Sequence, residues 1–397
     1  MRILIASTSQ YIAFHGQAIF TINLAEGLAK NGHSVMAIAG SDRGKAYRSE
    51  RNGVFIESVD AIELKLFHPD VYLPLFSARA VRRAFEMFKP DIVHIQDHYP
   101  LCRNVTITAK RLGVKCVGTN HFMPDNLAPY VPLISKIKPV FNRILWKWMR
   151  ETYDRVDALA CPSRSAASIL NSVGVSPPVI PISCGANITL FHNNPEVDRS
   201  AWRIRYGIDP DKIIFFFVGR VDREKRLDIL LRAVRLLDRD DIQVVIAGKG
   251  AYSSKLIAQA EKLKLGNRIH FTGFLPQADL PSVLNSIDIF AMPSEAELLS
   301  ISTLQAMGCS RPVLAANAVA LPELVKQDVN GLLFKPGDVA DAAGCLEWFA
   351  NHPERWAGMG AASLEQVQVH SLEHIVHLYE ILYEKVLTGS PLDFLLE

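Results

Sequence analysis

Six consecutive apolar residues, Ile213-Ile-Phe-Phe-Phe-Val218, leave this chain few ways to fold. The run has the length of a strand, and with no polar side chain to turn toward water it must be covered on both faces. Sheets covered on both faces are parallel sheets wrapped in helices. The sequence that follows agrees: apolar segments recur at Gln243–Ala247, Arg268–Phe271, Ile287–Ala291 and Pro312–Ala315, with helical stretches between them.

An earlier cycle of the same kind opens the chain. Arg2–Ser7 reads as an apolar strand, Gln17–Asn31 as an amphipathic helix through Phe20, Leu24 and Leu28, and Ser34–Ala39 as a second strand after the Asn31-Gly32-His33 turn. Further strands are expected at Asp91–Ile95, Val114–Gly118 and Ala158–Cys161. The expected fold class is therefore α/β, with two Rossmann-like doubly wound domains facing across a cleft. The expected domains are residues 1–188 and 189–370, with the seam in the stretch from Cys184 to Glu196. The last helical segment, Ser371–Thr388 within 371–397, has an apolar stripe of Ile375, Leu378, Ile381 and Leu382 and is expected to pack back onto the first domain.

Composition narrows the function. The chain has 397 residues, 49% hydrophobic and 21% charged, which suffices for two cores. A formal net charge of +2 argues against a nucleic-acid partner. The six cysteines form no CxxC pair and have no histidine at zinc spacing, so reduced thiols are expected, with neither a disulfide framework nor a structural metal. The apolar run at Met1–Ser7 is too short for a signal peptide and no stretch has the length of a transmembrane helix, so a cytoplasmic location is expected.

Doubly wound sheets bind ligands at the carboxyl ends of their strands, which directs attention to four loops. After the first strand comes Ala13-Phe-His-Gly-Gln17, where Gly16 opens a helix and allows close backbone approach. Gly118-Thr-Asn-His121 places His121 at a strand end, where a hydrogen-bonded structural histidine is the ordinary alternative. Gly219-Arg-Val-Asp-Arg-Glu-Lys-Arg226 puts Arg220 and Lys225 at a strand exit before a helix, a pairing suited to a diphosphate unless it is only a solvated charge run. In Pro293–Met307 a strand becomes a helix near Leu299 to Ser302, so free amides and the positive end of the helix dipole favour a phosphate there. Glu297 stands just before that helix and Gln305 about one turn inside it. A carboxylate can accept from two sugar hydroxyls, and an amide can both accept and donate.

These residues resemble the retaining glycosyltransferases of the GT-B fold, specifically glycosyltransferase family 4 (group 1). The resemblance covers nearly the whole chain. It rests on Gly219-Arg220 with Lys225, Phe271-Thr-Gly-Phe274, Pro293-Ser294 with Glu297 and the helix after it, Leu321-Pro-Glu-Leu324, and Asn330-Gly-Leu-Leu333, in the family's order and spacing.

The resemblance implies a hexosyltransferase without a metal cofactor, using a nucleotide-sugar donor, with UDP-glucose the leading expectation. The implied acceptor is lipid-linked or saccharide, in cell-envelope polysaccharide or glycolipid synthesis. Arg220 and Lys225 match the basic pair on the donor diphosphate, and Glu297 matches the first acid of the family's Glu-x7-Glu motif, on the transferred sugar. Leu299, Ser300, Ile301 and Ser302 match the turn whose amides hold phosphate and sugar. Phe274 and Leu275 match the loop framing the base, and His121 matches the first-domain histidine beside the sugar. Gly219 and Gly16 complete the implied donor-binding set, and His121, Glu297, Arg220 and Lys225 the implied catalytic one.

Four positions depart from the pattern. Gln305 replaces the second acid, which binds ribose, and exchanges a charge-assisted hydrogen bond of about 1.5–3 kcal/mol for a neutral one of about 0.5–1.5 kcal/mol. Leu298 and Ser300 replace common glycines, and His15-Gly16 replaces a glycine pair. A sugar-nucleotide epimerase or hydrolase on the same fold, or a catalytically silent nucleotide-sugar-binding subunit, are the alternatives. One segment suggests a further partner. In Val131–Arg150, Ile134, Ile137, Phe141, Ile144, Leu145, Trp148 and Met149 recur at helical spacing beside Lys136, Lys138, Arg143, Lys147 and Arg150, the pattern of a helix lying on an anionic membrane at the inner leaflet. A helix packed on its own domain, interrupted at Pro139, is the alternative.

Overall fold

The computed structural model describes residues 1–11, 16–63, 72–122, 138–237 and 239–392. Two compact units emerge, Met1–Cys184 with Leu372–Glu397, and Gly185–Ser371.

The first unit begins β1 (Arg2–Gln10), α1 (Gly16–Lys30), β2 (Ser34–Gly40), β3 (Tyr47–Arg51) and β4 (Val54–Val59), followed by the small antiparallel pair β5 (Ile62–Glu63) and β6 (Tyr72–Leu73). It continues through α2 (Ala78–Phe88), β7 (Ile92–Ile95), α3 (Pro100–Leu112), β8 (Lys115–Thr119), α4 (Lys138–Tyr153), β9 (Ala158–Cys161), α5 (Arg164–Ser172) and β10 (Val179–Pro181). Eight strands form one sheet in the order β10-β9-β8-β7-β1-β2-β4-β3, parallel except where β3 runs against β4. Ile3, Leu4, Ile5, Ile92 and Val93 have no exposed surface, because helices cover both faces of these central strands. The winding reverses at β1, which pairs with β2 on one side and β7 on the other. A crevice at the carboxyl ends of β1 and β7 is the consequence.

The second unit comprises α6 (Arg199–Arg205), β11 (Ile213–Val218), α7 (Leu227–Leu236), β12 (Ile242–Ala247), α8 (Ser253–Lys262), β13 (Ile269–Gly273), α9 (Leu280–Ser286) and β14 (Ile289–Met292). After these come α10 (Ile301–Gly308), β15 (Val313–Ala316), α11 (Leu321–Leu324), β16 (Gly331–Phe334), α12 (Val339–Asn351) and α13 (Trp356–Val367). The order β13-β12-β11-β14-β15-β16 is parallel throughout. Alternate side chains of β11 point to opposite faces, yet Phe215, Phe216 and Phe217 are all fully buried. Each such ring stabilises the fold by roughly 1.5–3 kcal/mol relative to exposure. Here the reversal lies between β11 and β14.

The chain re-enters the first unit with α14 (Leu372–Thr388). Of its expected stripe Ile375 and Leu382 are buried while Leu378 and Ile381 are half-buried; Tyr379 and Tyr383 are buried beside them, and Gly27 of α1 lets the two helices approach closely: a Cβ there would lie 2.5 Å from Val376 Cγ2. Beneath α14 the Tyr383 hydroxyl meets His94 Nδ1 at 2.7 Å, and His94 Nε2 meets Thr119 Oγ1 at 2.7 Å. Thr119 Oγ1 in turn lies 3.1 Å from the Tyr379 hydroxyl. Among the described residues no helix is long and apolar enough to cross a membrane.

Complete burial, aided by the charge of His121, pushes the His94 pKa down to about 3. Burial likewise pushes His98 down to about 4. Unfolded, each titrates near 6.5, so acid protonates the unfolded chain first. The stability these neutral imidazoles preserve is present above about pH 6.5 and is lost as pH falls toward 4, at up to about 1.4 kcal/mol per pH unit for each. His94→Asn should therefore flatten the decline of urea-unfolding stability between about pH 6 and pH 4 by that amount, while Tyr383→Phe, which strips a buried partner, should cost about 1–3 kcal/mol at pH 7. Identical acid slopes for His94→Asn and the parent would exclude His94 as the titrating group.

Candidate functional site

In the second unit the loops after β11 and β14 meet at the reversal of the sheet. The β11 loop is held by its neighbour: Gly219 N donates to Ala247 O at 3.1 Å, Val221 N donates to Lys249 O at 3.0 Å, and Tyr252 N donates to Val221 O at 3.0 Å. The two loops are so close that a Cβ on Gly248 would lie 1.9 Å from Gly219 O, and one on Gly250 would lie 2.3 Å from Val221 O. Gly248 also has φ +134°, so nothing larger fits there. After β14, Ser294 Oγ donates to Glu224 O at 3.3 Å, and Ala320 N donates to Glu297 O at 3.2 Å, which ties the Glu297 loop to α11.

Lys225 and Glu297, 72 residues apart, close the gap with a 2.5 Å contact between Nζ and Oε1. Glu297 and Gln305 are each only 8% exposed, so Glu297 is no ordinary solvent-facing carboxylate. Arg220, half exposed, reaches Asp222 at 2.7 Å and Glu224 at 3.0 Å, and Arg226 pairs with Glu295. The cations are thus already matched by carboxylates, and the loop is no bare positive patch. What remains for a ligand is directional: an ammonium such as that of Lys225 carries three N–H groups, of which one holds Glu297.

The helix start supplies more. Ser300 caps α10, its Oγ accepting from Thr303 N at 3.3 Å and from Thr303 Oγ1 at 2.7 Å. The amides of Ile301 and Ser302 have no partner among the described residues, and Leu299 leads into them. These are the orphan donors of a helix start, and they favour an anion. Ser300, where a glycine was the common residue, takes Thr303 N for itself. Leu275 is buried and Phe274 is 54% exposed in the loop after β13.

In the first unit, His121 follows β8. Its Nε2 meets Gln96 Oε1 at 3.0 Å, its Nδ1 lies 3.8 Å from Cys184 Sγ, and its ring packs on Phe20 with centroids 4.8 Å apart. Asp97, after β7, accepts from Thr8 N and Thr8 Oγ1 at 2.7 Å each and from Gln17 Nε2 at 3.0 Å, so it joins β1, β7 and the first turn of α1. Gly16 is the exposed first residue of that helix; residues 13–15 lie outside the described residues. Gln96, Asp97, Gln17 and the Gly248-Lys249-Gly250 turn escaped the reading of the sequence. Each sits directly after a strand or at a helix start, and that position was the available signal.

Of the suspected membrane segment, residues 131–137 lie outside the described residues, and α4 begins at Lys138. Met149 is fully buried and so belongs to the domain core. Trp148 Nε1 donates to His98 O at 2.9 Å, and the Arg103 guanidinium lies 4.4 Å from its ring. Ile144 is 60% exposed and Arg143, Lys147 and Arg150 are exposed. The free face of α4 is narrower than the sequence suggested.

The two cations should respond differently to truncation. Arg220→Ala, at an exposed position, is expected to leave stability within about 0.5 kcal/mol while nucleoside diphosphate affinity falls at least tenfold. Lys225→Ala leaves Glu297 buried without its partner and is expected to lose both affinity and about 1–3 kcal/mol of stability. Parent-like titration of UDP by either purified variant would remove that residue from the site.

Comparison with known proteins agrees with this architecture. Residues 14–190 match the family model described as Glycosyltransferase Family 4, and residues 198–365 match the one described as Glycosyl transferases group 1. The chain is similar to sulfoquinovosyl transferase SQD2 of Arabidopsis thaliana, 29% identical over 302 residues, covering 75% of this chain and 57% of that protein. It is also similar to alpha-monoglucosyldiacylglycerol synthase of Streptococcus pneumoniae (strain ATCC BAA-255 / R6), 24% identical over 342 residues, covering 84% of this chain and 75% of the relative. The match thus spans little more than half the length of the plant relative. Among solved structures, sucrose-phosphate synthase from Thermosynechococcus elongatus superposes with a TM-score of 0.81 at 19% identity, covering 98% of this chain and 100% of the other. Anabaena HepE in complex with UDP-glucose gives a TM-score of 0.76 at 19% identity, covering 98% and 99%. At such identities the likeness speaks for the fold, which is GT-B. With both units matched in sequence and the whole chain matched in fold, this chain belongs to the group 1 glycosyltransferases of glycosyltransferase family 4.

Proposed function

We propose that this chain is a retaining hexosyltransferase that moves a hexosyl group, with UDP-glucose the leading donor, to a lipid-linked or saccharide acceptor. The observation that carries the reading is the Lys225–Glu297 pair, a half-buried lysine on a buried carboxylate, set across the sheet reversal beside the unpartnered amides of Ile301 and Ser302. Lys225 can hold Glu297 with one N–H and a phosphate oxygen with another, so one residue links the diphosphate to the sugar-facing carboxylate.

In the proposed reaction the bond between the sugar's anomeric carbon and the diphosphate oxygen breaks. The acceptor hydroxyl bonds to that carbon from the same face, and its proton passes to the leaving phosphate. Charge grows on the diphosphate as the bond breaks, where Arg220, Lys225 and the α10 amides stabilise it, so no divalent metal is required. Glu297 and His121 position sugar hydroxyls. Gln305 takes ribose with neutral hydrogen bonds, and Phe274 and Leu275 frame the base. Uridine as the base draws support from the HepE complex, whose description includes UDP-glucose.

A nucleotide-sugar panel read by thermal stabilisation tests the donor, since a ligand at a hundredfold over its Kd adds roughly 2.7 kcal/mol. UDP-glucose should give the largest shift, and transfer with it should survive dialysis against EDTA. Loss of turnover that Mg²⁺ or Mn²⁺ restores would refute the metal-free mechanism. Product analysis separates the alternatives: an isomerised donor means epimerisation, and binding without turnover means a silent subunit, the reading that Gln305 favours.

A membrane-bound acceptor is supported by the exposed Ile144 beside Arg143, Lys147 and Arg150, and by the lipid product in the name of the streptococcal relative. Each basic residue near an anionic surface contributes roughly 1 kcal/mol, so the chain should cosediment with anionic vesicles and dissociate as salt rises. Equal recovery on neutral and anionic vesicles, or none on either, would favour a soluble acceptor.

A further inference from the structure

A cleft of about 660 Å³ opens in the second unit between α7 and the segment leading into α12, and none of the residues assigned above lines it. It is broad and open to solvent, with Arg232, Arg235, Leu236 and Lys335 all exposed. Arg232, Arg235 and Lys335 line it. The two arginines are three residues apart on α7 and share one face, so their charges repel.

None of the three side chains has a carboxylate or hydrogen-bond partner among the described residues. Several other arginines of the unit are matched by carboxylates, Arg199 and Arg203 by Asp288, Arg205 by Asp279, Arg226 by Glu295 and Arg239 by Asp241, while Arg268 and Arg311 are held by backbone carbonyls. The carboxylate that does line the cleft, Asp338, is committed, since its Oδ1 accepts from Ala340 N and Asp341 N at 3.1 Å each to cap α12. Leu236, 62% exposed, and Leu263 give the cleft an apolar wall.

We propose that this cleft is a second ligand site, separate from the donor site, for a small phosphate monoester. Three unmatched cations suit a dianion, guanidinium forks bind phosphate oxygens in pairs, and the leucines suit the carbon skeleton of an ester. The wall also adjoins the donor loops, because a Cβ on Gly337 would lie 3.6 Å from Glu295 Oε1 and 3.9 Å from Arg226 Nη2. Occupancy should therefore register in the Glu295 segment as well as in the cleft.

The test titrates the full chain with glycerol 3-phosphate, and with inorganic phosphate and glycerol in separate arms, reading thermal shift and hydrogen exchange. The expected result is saturable stabilisation by glycerol 3-phosphate with a Kd below about 1 mM, slower exchange over residues 335–340 and 293–297, a weaker response to inorganic phosphate and none to glycerol. The exposed double variant Arg232→Ala/Arg235→Ala should bind the ester at least tenfold more weakly and retain its parent stability. No saturation below about 1 mM, an unchanged response in the double variant, phosphate binding as tightly as the ester, or full displacement of the ester by UDP would each overturn the assignment.

Discussion

A strand with no polar face can offer chemistry only at its ends. That constraint, set by Ile213–Val218, organises the second unit: β11 is sealed on both faces, and its loop is where the strand can present polar groups. Because β11 pairs with both β12 and β14, the loop after it lies between theirs. The β12 loop packs against it through Gly248 and Gly250, and the β14 loop supplies Glu297 to Lys225. The charges of the candidate site are arranged by the sheet order before any ligand arrives.

The same logic in the first unit gives a different result. Its reversal at β1 and β7 gathers Thr8, Gln17, Gln96, Asp97 and His121, with Asp97 bound to Thr8 and Gln17 and Gln96 bound to His121. Where the second unit gathers ion pairs and helix amides, the first gathers amide side chains, a hydroxyl and one imidazole around a single carboxylate. Neutral donors and acceptors suit hydroxyls, and cations with amides suit phosphates. The two units thus differ in the chemistry that each gathers at its own sheet reversal.

Much of this was legible in the sequence, and the limits have physical causes. β9 and β11 fall where the apolar runs place them, and β1, β2 and α1 differ by one to three residues at their ends, because periodic burial leaves a strong local signal. β3 left none: Tyr47–Arg51 is a polar edge strand with four of five residues exposed. β10 is three residues long, too short to show a period. Glu297, Arg220 and Lys225 could be picked out from their positions after strands. Their pairing could not, since a contact across 72 residues is made by the tertiary fold. The expected membrane helix read Met149 as part of an outward stripe, whereas packing against the domain claims it.

The return of α14 gives the two units unequal histories. The turn after α1 and α14 touch through residues 349 apart, where Asn31 Nδ2 donates to Glu380 Oε1. During synthesis the first unit therefore waits for its last helix until the whole second unit has been made, at roughly 5–20 residues per second. Until then the apolar face of α1 and the buried imidazole of His94 lack their cover, while the second unit, continuous from Gly185 to Ser371, can close as soon as it leaves the ribosome. The first unit to be translated is the second to be finished, and in the interval its open flank is a surface for chaperones or for the α14 of another chain.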